Sequence, residues 1–114
     1  MAYEVNGNTI EANANGYLEN LEDWNEDVAK VIAESENVTL SDKAWDIINY
    51  LRDEYLNNNQ NQPNERNMVK HFKGVWTDLD KVDTKSLYEH FPMGPAKQAG
   101  KIAGLPETKR KGGY

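Results

Sequence analysis

Residues 41–59, SDKAWDIINYLRDEYLNNN, set Trp45, Ile48, Leu51 and Tyr55 on one stripe of a 3.6-residue repeat, with Ile47 widening it. Ser41 stands where an N-cap stands, and the Asn-rich stretch at 57–62 ends the pattern. A helix that is apolar on one side only must bury its stripe against other elements, so the rest of the chain has to supply them. With 114 residues there is material for one core and one domain, 1–114. Apolar residues make up 38 %, with three Trp and six Tyr, enough for a lean packed globule.

Upstream, YEVNGNTIEANANGYL alternates Tyr3 and Val5 with Glu4 and carries Asn6-Gly7 where a two-residue type I′ turn belongs, with Asn15-Gly16 as a second turn. This predicts a β-meander of two or three short strands over residues 1–18, resting on helices because a lone hairpin is marginal in water. Val28, Val31 and Ile32 recur at helical spacing behind Glu22, Asp23, Glu26 and Asp27. Carboxylates there favour the positive end of a helix dipole; a catalytic pair is disfavoured, with no basic or aromatic pocket nearby in sequence. Downstream, residues 57–62 read as a solvated connector, and Pro63 suits the first turn of the helix NERNMVKHF. TKSLYEHF is stopped by Pro92, and PAKQAGKIAG has Pro95 at N1 and Gly104 as a C-cap. Gly100, inside that last helix, costs about 1 kcal/mol relative to Ala. The fold class is α+β: a small N-terminal β-meander packed on an array of about five helices over 25–104, with a flexible C-terminal arm at 105–114.

The formal charge of −6 is uneven. Residues 97–114 hold five basic groups against Glu107, while residues 1–96 hold eight basic and eighteen acidic ones. An acidic body repels nucleic acid at long range and attracts its own basic tail. No apolar run reaches the roughly 18 residues of a membrane span, and the opening lacks a signal-peptide layout, so the expected location is cytoplasmic. In that location Asn37-Val38-Thr39, formally a glycosylation acceptor, is only a loop before a helix. Asp78, Asp80, Asp83 and Glu89 imitate a calcium loop, yet the sixth position, which needs Gly, is Asp83. His71 and His90 lack paired-ligand spacing, and GPAKQAG lacks the ending of a phosphate loop. No metal, cofactor or catalytic residue is expected. The chain has no cysteine, which excludes disulfides, thiolate metal sites, a persulfide and a thiol nucleophile.

The segment LYEHFPMGPAKQAGKIAGLP, residues 87–106, resembles the C-terminal region of the DsrC/TusE family of sulfur-relay proteins, with weaker similarity through NGYLENLEDWNEDVA, VTLSDKAWDIINYLRDEYL and RNMVK. The resemblance implies the same meander, helical array and arm. It also implies that an arm cysteine carries persulfide or trisulfide sulfur to partner proteins. TusE-type members use that cysteine alone in the relay that thiolates tRNA wobble uridine; DsrC proper adds a second in the preceding helix and serves dissimilatory sulfite reductase. Here the helix position falls on Gly100, and the arm position on Lys111, counted from Leu105-Pro106, or on Gly113, counted from the end.

Sulfur transfer needs a thiolate to attack and hold sulfane sulfur, and neither an amine nor a backbone glycine does so. The leading expectation is therefore a non-enzymatic docking, regulatory or decoy partner of a TusBCD/DsrEFH-type sulfurtransferase, a tRNA thiolase or a sulfite reductase. Its partner-binding residues are expected to be Arg66, Lys70, Lys97, Lys101, Leu105, Pro106, Lys109, Arg110, Lys111 and Tyr114, the last as an aromatic anchor. A second reading is a sulfur carrier of that relay whose cysteines have been substituted by engineering. A third pairs residues 41–57 with 63–72 as a helix-turn-helix, with Arg66, Lys70 and Lys73 against DNA, and net acidity opposes it.

Overall fold

The computed structural model describes residues 1–107. Strands β1 (Ala2–Val5) and β2 (Asn8–Glu11) pair antiparallel, Tyr3 opposite Ile10 and Val5 opposite Asn8. Asn6 and Gly7 both take positive φ, 51° and 82°, as the type I′ turn requires. Tyr3 and Val5 are buried while Ala2 and Glu4 face out, so one face of the hairpin rests on the helices. A third strand does not form; Leu18 meets Ala12 in a single bridge. The Asn13 side chain accepts from the amides of Asn15 and Tyr17, curling the chain where a strand would have to run straight.

A 3₁₀ turn at Leu21–Asp23 leads to α1 (Glu26–Ser35), α2 (Asp42–Asn57), α3 (Glu65–Phe72), α4 (Thr84–Tyr88) and α5 (Pro95–Ile102). Asn25, Ser41 and Asn64 cap α1, α2 and α3 by accepting from the amides of Val28, Ala44 and Asn67. Pro63 therefore lies before the cap of α3, not in its first turn, because the Asn64 carboxamide satisfies the amide that sets the boundary. Asp83, the residue that fails the calcium pattern, instead closes a reciprocal capping box with Ser86 at the start of α4. Asn37 of the formal acceptor site ends α1 with φ 57°, while the amide of Val38 reaches back to the Ala33 carbonyl.

The buried stripe of α2 is Ala44, Ile47, Ile48 and Leu51; Trp45 and Tyr55 flank it half-buried. Its centre is thus rotated from the Trp45–Tyr55 line, since small Ala44 lets neighbouring elements approach and the larger rings are left at the edges. Val28, Ile32, Met68, Phe72, Leu87, Phe91, Ile102 and Leu105 complete one core. The Asn/Gln connector is hydrogen-bonded rather than simply solvated: Asn61 Nδ2 donates to Glu54 Oε1, and Gln62 Nε2 donates to the carbonyl of Pro106, 2.9 Å away. Asn59 and Gln60 take positive φ and end α2.

Helix α5 stops in a Schellman turn, the Gly104 amide reaching the Lys101 carbonyl and the Leu105 amide the Gly100 carbonyl. Gly104 has φ 76°, and a Cβ there would overlap the indole of Trp24. Gly104→Ala is therefore expected to lower the unfolding free energy by about 2 kcal/mol or more, from strained backbone and overpacking together. Urea denaturation checks this, and an unchanged midpoint contradicts it.

His90 Nδ1 lies 3.0 Å from Ser41 Oγ. The Ser41 oxygen already accepts from the Ala44 amide, so its proton is free to go to a neutral Nδ1. Burial pulls His90 below its ordinary pKa; Glu89 opposes that and Lys43 adds to it. A folded pKa below the unfolded one means that the unfolded chain takes the proton more readily. The resulting stability is complete above the unfolded value and falls as pH drops through it toward the folded value. His90→Asn, which keeps an acceptor without titrating, is expected to lessen the stability lost between about pH 7.5 and 5.5. Parallel urea titrations of both proteins at the two pH values measure it, and equal losses contradict it.

Candidate docking site

Two carbonyls at the end of α5 have no partner within their helix, and side chains from distant segments meet both. Trp24 Nε1 donates to the Ile102 carbonyl at 2.8 Å, and Arg52 of α2 donates to the Ala103 carbonyl at 2.7 Å. The Arg52 guanidinium also lies 3.9 Å from the centre of the Trp24 ring, in a cation–π stack. Burial lowers the pKa of Arg52 from its ordinary value, and the guanidinium nonetheless stays charged near neutrality. Beyond the clamp, Gln62 holds the Pro106 carbonyl and Asn15 Nδ2 reaches both carboxylate oxygens of Glu107. The root of the arm is thereby fixed to α2, to the meander and to the connector before α3.

The expected docking residues fall into three places. Arg66 and Lys70 are exposed on α3. Lys97 is exposed on α5 and Pro106 at the arm root. Lys101 is turned inward: its Nζ lies 3.4 Å from Glu36 Oε2 and 5.3 Å from the Tyr17 ring centre, and Gln98 joins it on Glu36. Leu105 is 2 % exposed and belongs to the core, so its part is to seat the arm, not to face a partner. Lys109, Arg110, Lys111, Gly113 and Tyr114 lie outside the described residues. Gly100, the expected helix position of the second DsrC cysteine, is buried, yet a Cβ built there meets no atom within 4 Å. A side chain of cysteine size therefore has room to start there.

Trp24, Arg52 and Gln62 were not singled out by the sequence, and Asn15 was read only as part of a turn. The signal was present only for Arg52, a cation four residues after Ile48 and beside Leu51, on the edge of an apolar stripe.

A cleft of about 1080 Å³ opens between α3 and residues 76–84, and none of its lining comes from α5. Arg66, Lys70 and Lys73 line one wall together with Glu65; Asp80, Lys81 and Asp83 stand on the other, and Val69 and Leu79 add apolar lining. The loop wall is anchored: Trp76 donates to Asp46 Oδ2 and stacks on Phe72 at 4.3 Å, and Lys43 Nζ pairs with Asp78 at 2.7 Å. That pairing, with its hydrogen bond first, holds the Asp78 carboxyl below its usual range.

Among the described residues no group of His, Asp and Glu is arranged to hold a metal ion. No described helix is long and apolar enough to cross a membrane.

Comparison with known proteins agrees with this architecture. The family model described as DsrC-like protein matches residues 4–110. The sulfurtransferase TusE of Sodalis glossinidius is 43 % identical over 104 residues, 91 % of this chain and 94 % of that protein. TusE of Escherichia coli K12 is 43 % identical over 101 residues, 89 % and 91 % of the two chains. Among solved structures, the oxidized γ-subunit of dissimilatory sulfite reductase (DsrC) from Archaeoglobus fulgidus superposes with a TM-score of 0.87 at 34 % identity, covering 97 % of this chain and 99 % of that one. DsrC of Allochromatium vinosum gives 0.83 at 41 %, with the same coverage. A chain with this meander, this helical array and a fixed arm root, matched along nearly its whole length, belongs to the DsrC-like family of sulfur-relay proteins.

Proposed function

We propose that this chain docks on sulfur-relay partners as a regulator or decoy and does not itself carry sulfur. The observation that carries the reading is the complete DsrC-type scaffold in a chain of 114 residues without one cysteine. Holding sulfane sulfur requires a thiolate, and no other side chain here replaces it. The partners in view are a TusBCD/DsrEFH-type sulfurtransferase, the tRNA thiolase, or a sulfite reductase, with Lys97, Pro106 and the basic residues of the arm at the contact. A chain of this kind occupies the partner's acceptor site without discharging it, and so slows the relay in proportion to its concentration.

The room beside Gly100 favours one further reading, a carrier whose cysteines have been replaced, because that position would accept the lost side chain. The two readings differ in what the native gene product carries. Mass spectrometry of that product after incubation with a persulfide donor is expected to detect no added sulfur; a sulfur adduct supports the carrier. Immobilised chain is expected to retain a purified TusBCD-type sulfurtransferase or tRNA thiolase at micromolar concentration and to inhibit sulfur transfer to an authentic TusE. Failure to retain a sulfurtransferase, a thiolase or a sulfite reductase overturns the docking reading.

A further inference from the structure

We propose that the cleft between α3 and residues 76–84 seats an acidic segment of a partner protein, with carboxylates against Arg66, Lys70 and Lys73 and an apolar side chain over Val69 and Leu79. This deepens the docking reading and rests on it for the identity of the partner, though not for the chemistry of the segment.

The placement of the three cations is the first argument. They follow one another at i, i+4 and i+7, so they share a face of α3, and they line the cleft. None of them forms an ion pair among the described residues, in a body with more than twice as many acidic as basic groups. Neighbouring like charges at these spacings disfavour a helix by a few tenths of a kcal/mol each. For Lys70 and Lys73 the negative end of the helix dipole offsets this. For Arg66 it does the reverse, because Arg66 is the second residue of α3 and its cation faces the positive end. The helix dipole gives no reason for a cation there, and neighbouring Glu65 forms no ion pair with it, whereas an anionic ligand would engage it.

The second argument is the form of the cleft. Its far wall is held to α2 through Trp76–Asp46 and Lys43–Asp78 and buried at Val82, so the groove exists before anything enters it. Val69 and Leu79, with Leu79 36 % exposed, add apolar lining. Asp80 and Asp83 on the loop wall separate peptide from nucleic acid. A phosphate backbone presents negative charge on both sides and is repelled by that wall, whereas a peptide turns carboxylates to one side only.

The third is continuity with the arm. Gln62, bonded to Pro106, is two residues from Asn64, which lines the cleft. One partner gripping the arm root therefore lies within about 10–15 Å of the groove, on the reach of a few extended residues.

The test uses the full chain and a fluorescent synthetic peptide of four Glu-Glu-Leu repeats, with a Lys-Lys-Leu peptide and an RNA hairpin as competing probes. The acidic peptide is expected to bind, to weaken with salt, and to shift the amide resonances of α3 and residues 76–84. Arg66→Glu with Lys70→Glu is expected to weaken it by about tenfold or more. Should that variant not fold by circular dichroism, Arg66→Gln with Lys70→Gln serves, with a smaller loss in the same direction. No binding, shifts confined to another face, or tighter binding of the hairpin each overturns the proposal, the last in favour of nucleic acid. Retention of the relay partner by the charge-reversed or neutral variant at undiminished affinity also overturns it while leaving docking intact. Peptide binding with no relay partner retained sinks the docking reading and leaves this one standing.

Discussion

The last carbonyls of a helix have no partners of their own, and a helix end can be buried only if something else supplies donors. In this fold Trp24 and Arg52 supply them to Ile102 and Ala103. Each buried carbonyl left unpaired would cost about 1–3 kcal/mol, comparable to a sizeable share of a small domain's whole stability. Because the donors come from the segment before α1 and from the middle of α2, the clamp also joins parts of the chain 78 and 51 residues apart. Gly104 follows from it: only a residue without Cβ both turns the chain at φ 76° and clears the indole. With α5 closed in this way, Leu105 enters the core and the arm leaves from a defined point.

That arrangement separates scaffold from chemistry. Nothing in the clamp or the Glu36–Lys101 pair uses a side chain at Gly100, and a Cβ built there meets no atom within 4 Å. A Cβ can be present or absent there at little cost to packing, since no neighbour depends on contact with it. The arm root is thus held by contacts that need no thiol. On the docking reading proposed above, a chain without the thiol would still present that root to a partner.

The hairpin, the five helices and the caps at Ser41 and Gly104 were legible because each rests on local rules: Asn-Gly in a type I′ turn, Ser41 before an apolar stripe, Pro95 at N1 and Gly104 after the last turn. The choice between two and three strands was not, since Asn13 turns the chain through side-chain bonds that alternation does not register. Nor was the order in the Asn/Gln connector, whose composition suggests solvation while its amides reach Glu54 and Pro106 across the fold. The docking residues were legible as charge but not as environment. Lys101 and Lys97 look alike in sequence, and only packing shows that one is drawn to Glu36 while the other stays exposed. Trp24 and Arg52 escaped for the same reason, their partners being backbone atoms 78 and 51 residues away.

The Gln62–Pro106 bond gives the two surfaces a joint consequence. A partner that docked as proposed at the arm root would meet the α3 groove as an intramolecular site, at an effective concentration in the millimolar range for short spans. Contacts too weak to detect singly then combine, provided that the span between them stays fixed. Rigidity at the root thus matters more than strength at either surface. The clamp that buries the end of α5 sets that span, so the two donors that stabilise the core would also set how well such a partner is gripped.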